Sequence, residues 1–164
     1  MKIALSTDHA GYELLKQLKV WLGEQGHECI DFGPVVYDEN DDYPDFIIPA
    51  AQSVAKGECE AGIIMGGSGE GEAMAANRVK GVRCVVYYGP ATPTGSIDAE
   101  GNMPKDEFEI LRLSREHNNA NMLSLASRFI EQPEIEHAVK TWLETPFVGV
   151  ERHTRRIAKI DSLS

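Results

Sequence analysis

The chain has 164 residues, 42% hydrophobic and 26% charged, which fits one globular domain with a full core. No apolar run approaches the roughly 20 residues that cross a bilayer, and the opening Met1-Lys2-Ile3-Ala4-Leu5 reads as strand, so neither a membrane protein nor a signal peptide is expected. A formal net charge of -10 at pH 7 argues against a general nucleic-acid binder, which needs a basic face.

In chain order, residues 2–7 read as a first strand, broken at Asp8-His9-Ala10-Gly11. Leu14, Leu15, Leu18, Trp21 and Leu22 then recur at helical spacing as far as Gln25, and Gly26 supplies a stop. Residues 27–32 read as a second strand, the acidic run 38–42 as a loop, and Tyr43-Pro44 as the entry to a helix ending near Lys56. A third strand at 61–65 meets the glycine-rich turn 66–71 and a helix from about 72 to 79. The nearly continuous apolar run 82–88 suits a strand covered on both faces. Residues 89–104, rich in Pro and Gly, are loop by composition, followed by a helix from about 105 to 116, a short strand at 122–126 and a helix at 133–144 with Pro133 near its first turn. Strands alternating with helices, without hairpin signals, predict a single α/β domain over 1–164: a doubly wound, five-stranded parallel sheet with a C-terminal tail at 146–164.

Cys29, Cys59 and Cys84 are odd in number and lack metal-ligand spacing, so reduced thiols and a cytoplasmic location are the simpler expectation, with no metal and no cofactor. Ligands of open parallel sheets gather beyond the carboxyl ends of the strands, where Asp8–Gly11, Gly66–Glu72, the 89–104 loop and Ser127-Arg128 all fall. The turn Gly66-Gly67-Ser68-Gly69-Glu70-Gly71 can aim backbone N–H groups at one point as an anion nest, and it equally fits a tight strand–helix turn. No lysine follows to make a triphosphatase loop, and the spacing is not that of a dinucleotide fingerprint. Glu72, in the first helical turn beyond it, suits either the positive end of a helix dipole or a base that abstracts a proton beside a carbonyl while N–H donors hold the enediolate. Arg152 and Arg156 share a face if the tail is helical, a geometry that fits phosphate oxygens as well as it fits a solvated tail.

Taken together, Asp8-His9-Ala10-Gly11, Asp42-Tyr43-Pro44, Gly67-Ser68-Gly69-Glu70-Gly71, Ala75-Ala76-Asn77-Arg78, Ser114-Arg115-Glu116-His117-Asn118, Ser127-Arg128 and Arg152-His153-Thr154-Arg155-Arg156 resemble the type B ribose-5-phosphate isomerase family, with its galactose- and allose-phosphate relatives. The resemblance implies a Rossmann-like enzyme that interconverts an aldose phosphate and its ketose, by default ribose 5-phosphate and ribulose 5-phosphate. It implies a homodimer with active sites shared between subunits, or a pair of such dimers. Carried over residue by residue, His117 and Asp8 open the sugar ring, and His9, Arg128, Arg152 and Arg156 hold the phosphate. Asn118 and the Gly67, Gly69 and Gly71 amides bind sugar oxygens, and Asn77 and Tyr43 line the pocket. One branch of the family uses a cysteine base two positions before the loop Ser/Thr. Here that position is Gly66, so Glu72 is the expected base with Ser68 as its hydrogen-bond partner. About a dozen residues of the 89–104 loop exceed the family's usual connection, which leaves a four- or six-carbon sugar phosphate as the alternative substrate. A non-catalytic phosphate-binding module is the alternative of another class.

Overall fold

The computed structural model describes residues 1–98 and 100–163; Ala99 in the 89–104 loop and Ser164 at the end of the 146–164 tail lie outside the described residues. Five parallel strands, β1 (Lys2–Thr7), β2 (Glu28–Asp31), β3 (Ala61–Gly66), β4 (Cys84–Tyr87) and β5 (Met122–Ala126), form one sheet in the order β2-β1-β3-β5-β4. Between them run α1 (Tyr12–Glu24), α2 (Pro44–Ala55), α3 (Glu70–Ala76) and α4 (Glu109–Glu116), and α5 (Gln132–Glu144) and α6 (Glu151–Asp161) follow β5. This is the doubly wound α/β architecture expected from the alternation of strand and helix patterns. No described helix is long and apolar enough to cross a membrane.

Alternation along the central strands builds two cores. Ile3, Leu5, Ile63, Met65, Leu123 and Leu125 face one side, against Leu15, Leu18 and Leu22 of α1, Leu111 of α4 and Ile135, Val139 and Trp142 of α5. Ala4, Ile64 and Met122 face the other, against Ile47, Ala50, Ala51 and Val54 of α2 and Ala73 and Ala76 of α3. Covered on both faces, β3 and β5 are buried along their whole length, hence their largely apolar runs, interrupted in β5 by Ser124.

Three elements have a boundary that differs from the sequence expectation by two residues or more. β4 starts at Cys84 rather than Val82, because Gly81 adopts φ 90° and the Val82 N–H turns back to Val79 O at 3.0 Å. α3 spans Glu70–Ala76 rather than about 72–79. α4 starts at Glu109 rather than near Lys105: Asp106 Oδ1 accepts the Phe108 N–H at 2.8 Å, a local turn that competes with helix. The long loop is held by its own bonds, Ile97 N–H to Asn102 O at 2.8 Å and Asn102 N–H to Asp98 Oδ1 at 3.0 Å. Its Ile97 and Pro104 line a cavity together with Ile110 and Leu113 of α4.

Candidate active site

The strand order reverses direction between β1 and β3, so their carboxyl ends open a crevice where ligands of such sheets bind. The turn from β3 into α3 passes through Gly69 at φ 79°, a left-handed conformation that favours glycine. Ser124 Oγ on β5 donates to Gly69 O at 2.6 Å, and Ser127 Oγ donates to Gly66 O at 2.7 Å and lies 3.1 Å from Ala10 O, tying the turn to the ends of β5 and β1. Among the described residues, the N–H groups of Gly67, Ser68 and Gly69 donate no hydrogen bond, so the turn presents them to a ligand.

Glu72 leaves the first turn of α3 and folds back over Gly66. A Cβ added at Gly66 would stand 2.0 Å from Glu72 Cδ and Oε1. The carboxylate therefore occupies the space that a side chain at position 66 would take. Glu72 is 5% exposed, and burial raises its pKa above the usual glutamate value; its own backbone N–H lowers it, and the negative charge of Asp8 raises it further. A carboxyl group shifted in that direction is better matched to proton abstraction near neutral pH than an exposed one.

Around this turn stand four other sequence-predicted residues. Asp8, 7% exposed, caps the 3-10 turn His9–Gly11 by accepting the Ala10 N–H at 2.9 Å. His9 Nδ1 lies 2.7 Å from Asp41 Oδ1. The Tyr43 ring covers Gly71, where an added Cβ would meet ring carbon Cζ at 2.9 Å. The Arg128 side chain lies over Gly67, 3.5 Å from where a Cβ would sit, and the Arg128 backbone N–H donates to Gly67 O at 3.2 Å.

The remaining candidates gather at the opposite, amino edge of the sheet. Asn119 at φ 46° ends α4, leaving His117 and Asn118 ahead of β5. The His117 ring stacks on His153 of α6, centroids 4.2 Å apart. Arg152 Nε donates to His153 Nε2 at 3.0 Å, and Arg152 Nη1 meets Glu100 Oε1 of the long loop at 3.5 Å. Burial lowers the His153 pKa, and the neighbouring His117, Arg152 and Arg156 lower it further, consistent with a neutral ring that accepts from Arg152. Arg156 lies one turn along α6, and Arg83 fastens the end of that helix through Asp161 at 3.2 Å. The strands between the two edges rise about 3.3 Å per residue, which puts roughly 15 Å between the clusters. One chain thus holds two separate clusters of candidate residues: Asp8, His9, Tyr43, the glycine turn, Glu72 and Arg128 at one edge, His117, Asn118, Arg152 and Arg156 at the other.

Two candidates have partners other than those expected. The Asn77 amide clasps Cys84 at the start of β4, donating to Cys84 O at 2.9 Å and accepting the Cys84 N–H at 2.8 Å. Ser68 is exposed and accepts the Glu70 N–H at 3.4 Å instead of bonding Glu72, because it points outward at the crest of the turn while the carboxylate folds inward. Sequence reasoning gave no role to Asp41, one acid in an acidic run, or to His153, whose value lies in its two ring contacts. Asp8, His9 and Asp41 form the one described cluster with three metal-capable donor atoms within 4.8 Å of one another, but His9 Nδ1 is engaged by Asp41.

A profile of the family described as Ribose/Galactose Isomerase matches residues 3–97 and 106–160, so residues 98–105 of the long loop fall outside it. Ribose-5-phosphate isomerase B of Mycobacterium leprae is 38% identical over 157 residues, covering 96% of this chain and 86% of that protein. A crystal structure of the ribose 5-phosphate isomerase of Thermotoga maritima aligns with a TM-score of 0.83 at 38% identity, covering 99% of this chain and 98% of the other. The Mycoplasma genitalium ribose-5-phosphate isomerase B with bound ribulose-5-phosphate aligns with a TM-score of 0.82 at 35% identity, covering 98% and 93%.

Proposed function

The chain belongs to the ribose/galactose isomerase family, and from that premise we propose that it interconverts ribose 5-phosphate and ribulose 5-phosphate through a cis-enediolate, with Glu72 as the base. The observation that carries the assignment of the base is the Glu72 carboxylate lodged over Gly66, beside a turn of unpaired N–H groups. Once the ring is open, Glu72 takes the proton from C2 of the aldose. The electron pair moves toward the carbonyl, and the Gly67–Gly71 amides meet the charge that develops on oxygen. The carboxyl group returns the proton to C1 while the hydroxyl proton passes from O2 to O1, giving the ketose. His117 with Asp8 assists ring opening, and His9, Arg128, Arg152 and Arg156 bind the phosphate. The scheme calls for no metal or cofactor. The free cysteines Cys29, Cys59 and Cys84 support a reducing, cytoplasmic setting.

Because the two clusters lie at opposite edges of one chain, a working site needs the amino-edge cluster of a second copy. Exposed apolar side chains near the glycine turn, Met74 at 65% and Phe129 at 73%, support such an apposition. The arrangement is a homodimer with two shared sites. It is tested by mixing Glu72→Gln with His117→Ala under subunit exchange. Each heterodimer then joins the intact Glu72 of one chain to the intact His117 of the other. Activity recovers to about a quarter of the parent value under random pairing, whereas sites confined to one chain recover none.

A panel of four-, five- and six-carbon aldose phosphates tests the substrate. The expected result is the highest kcat/KM for ribose 5-phosphate; a maximum at another length reassigns the sugar within the same chemistry. Ligand binding without turnover of any of them would instead favour the phosphate-binding module.

A further inference from the structure

The acidic loop before α2 returns to the end of β1 and buries one of its carboxylates there. Asp41 is only 8% exposed at its side chain, and its Oδ1 accepts from His9 twice, from the backbone N–H at 3.2 Å and from ring Nδ1 at 2.7 Å. Two bonds to one residue fix both the backbone turn and the ring orientation, and they place the proton on Nδ1. Asp41 Oδ2 is buried with no hydrogen-bond partner among the described residues. An underbonded buried carboxylate is costly unless a cation compensates it. The adjacent His9 ring is positioned to be that cation.

We propose that Asp41 is a positioning residue for His9, clamping the ring through Nδ1 so that a charged Nε2–H is presented to the phosphate of the substrate. The inference rests on the sugar-phosphate reading of the site and adds a residue to it. Every charged neighbour of the ring can be named. The Asp41 hydrogen bond raises the His9 pKa most; partial burial opposes it, Asp8, 3.8 Å from Nδ1, and the charge of Asp41 raise it, and Arg128 lowers it, with a net rise. The Tyr37 ring stands edge-on to His9 at 6.5 Å between centroids and adds no charge at neutral pH.

The test measures KM for ribose 5-phosphate and competitive inhibition by inorganic phosphate from pH 5.5 to 9, in the parent, Asp41→Asn, His9→Gln and the double variant. Comparing variants at each pH cancels the ionisation of the phosphate itself. Asp41→Asn is expected to raise KM and the phosphate inhibition constant by about tenfold at pH 7.5, the scale of one weakened charge-assisted hydrogen bond to the phosphate. The penalty fades toward pH 5.5, where the ring is protonated in either protein, and kcat changes far less than KM. In the His9→Gln background Asp41→Asn adds nothing, and His9→Gln alone abolishes the loss of affinity at high pH. A pH-independent penalty, or one that persists without His9, overturns the proposal. So does chelator sensitivity that a divalent ion reverses. If Asp41→Asn does not fold, a high-pH loss of affinity that survives in His9→Gln overturns it by itself. Failure of the parent to turn over any aldose phosphate would refute the isomerase reading instead, while the inorganic phosphate measurements would still decide the role of Asp41.

Discussion

Glu72→Gln is expected to lower kcat by about 10²–10⁴-fold, with inhibition by inorganic phosphate within a few-fold of the parent. The amide keeps the shape of the side chain over Gly66 and removes only the proton acceptor, so phosphate binding, which the proposed site assigns to His9 and the arginines, should persist. The pH profile supplies an independent check. A base must be ionised to act, and Glu72 is held above the usual glutamate pKa by burial, with Asp8 adding to it. Parent activity should therefore fall on acidification at a pH above that of an exposed glutamate, and Glu72→Gln should lose this limb. The stability sign is the reverse of that for a salt-bridged carboxylate. A raised folded pKa means that ionisation of Glu72 disfavours the native state at neutral pH, so Glu72→Gln should unfold at a higher temperature than the parent there, with the difference shrinking in acid. A dead variant that is also less stable would point to misfolding rather than to a lost base.

The second large effect is expected from one methyl group. Gly66→Ala places a Cβ 2.0 Å from the Glu72 carboxyl carbon, so the carboxylate must move. Displacement of a reacting group by about an ångström can cost on the order of 10²-fold in rate, and Gly66→Ala should approach the kcat loss of Glu72→Gln although no catalytic group is removed. Gly66 ends β3, and its φ is not in the left-handed region, so alanine is tolerated by the backbone itself. Its carbonyl remains available to the Ser127 hydroxyl and N–H, so the turn is retained. Steady-state kinetics with a thermal unfolding curve checks this: a stable, correctly folded protein with parental kcat would mean that the carboxylate over Gly66 is not the working base.

Legibility in the sequence depends on the distance over which each feature is determined. β3 and β5 were legible because Ile63-Ile64-Met65 and the Met122–Ala126 run are largely apolar on both faces, a property of the strand itself. The carboxyl-edge cluster was legible for a related reason: parallel strands all deliver the residues at their carboxyl ends to one side of the sheet, and Asp8, the glycine turn and Ser127-Arg128 each sit just past a strand. The role of Asn77 came from the resemblance, and its side-chain partner could not be read from the sequence. At about 1.5 Å per residue, α3 carries Asn77 away from the turn, and it meets the amino end of β4. The separation of Arg152 and His117 from Glu72 within one chain could not be read locally, since it depends on where α6 docks. Asp41 was hidden by its neighbours Asp38 and Asp42: nothing in a run of acids marks the one that folds inward, and only its approach to His9 distinguishes it.

The packing of Glu72 against a bare glycine also constrains ancestry. A cysteine at position 66, which the resemblance gives to the other branch of the family, and Glu72 as it is placed here draw on a single volume, so the carboxylate must shift wherever both are present. Starting from this chain, acquiring the thiol first would crowd the carboxylate, and losing the carboxylate first would leave an empty slot and no proton acceptor.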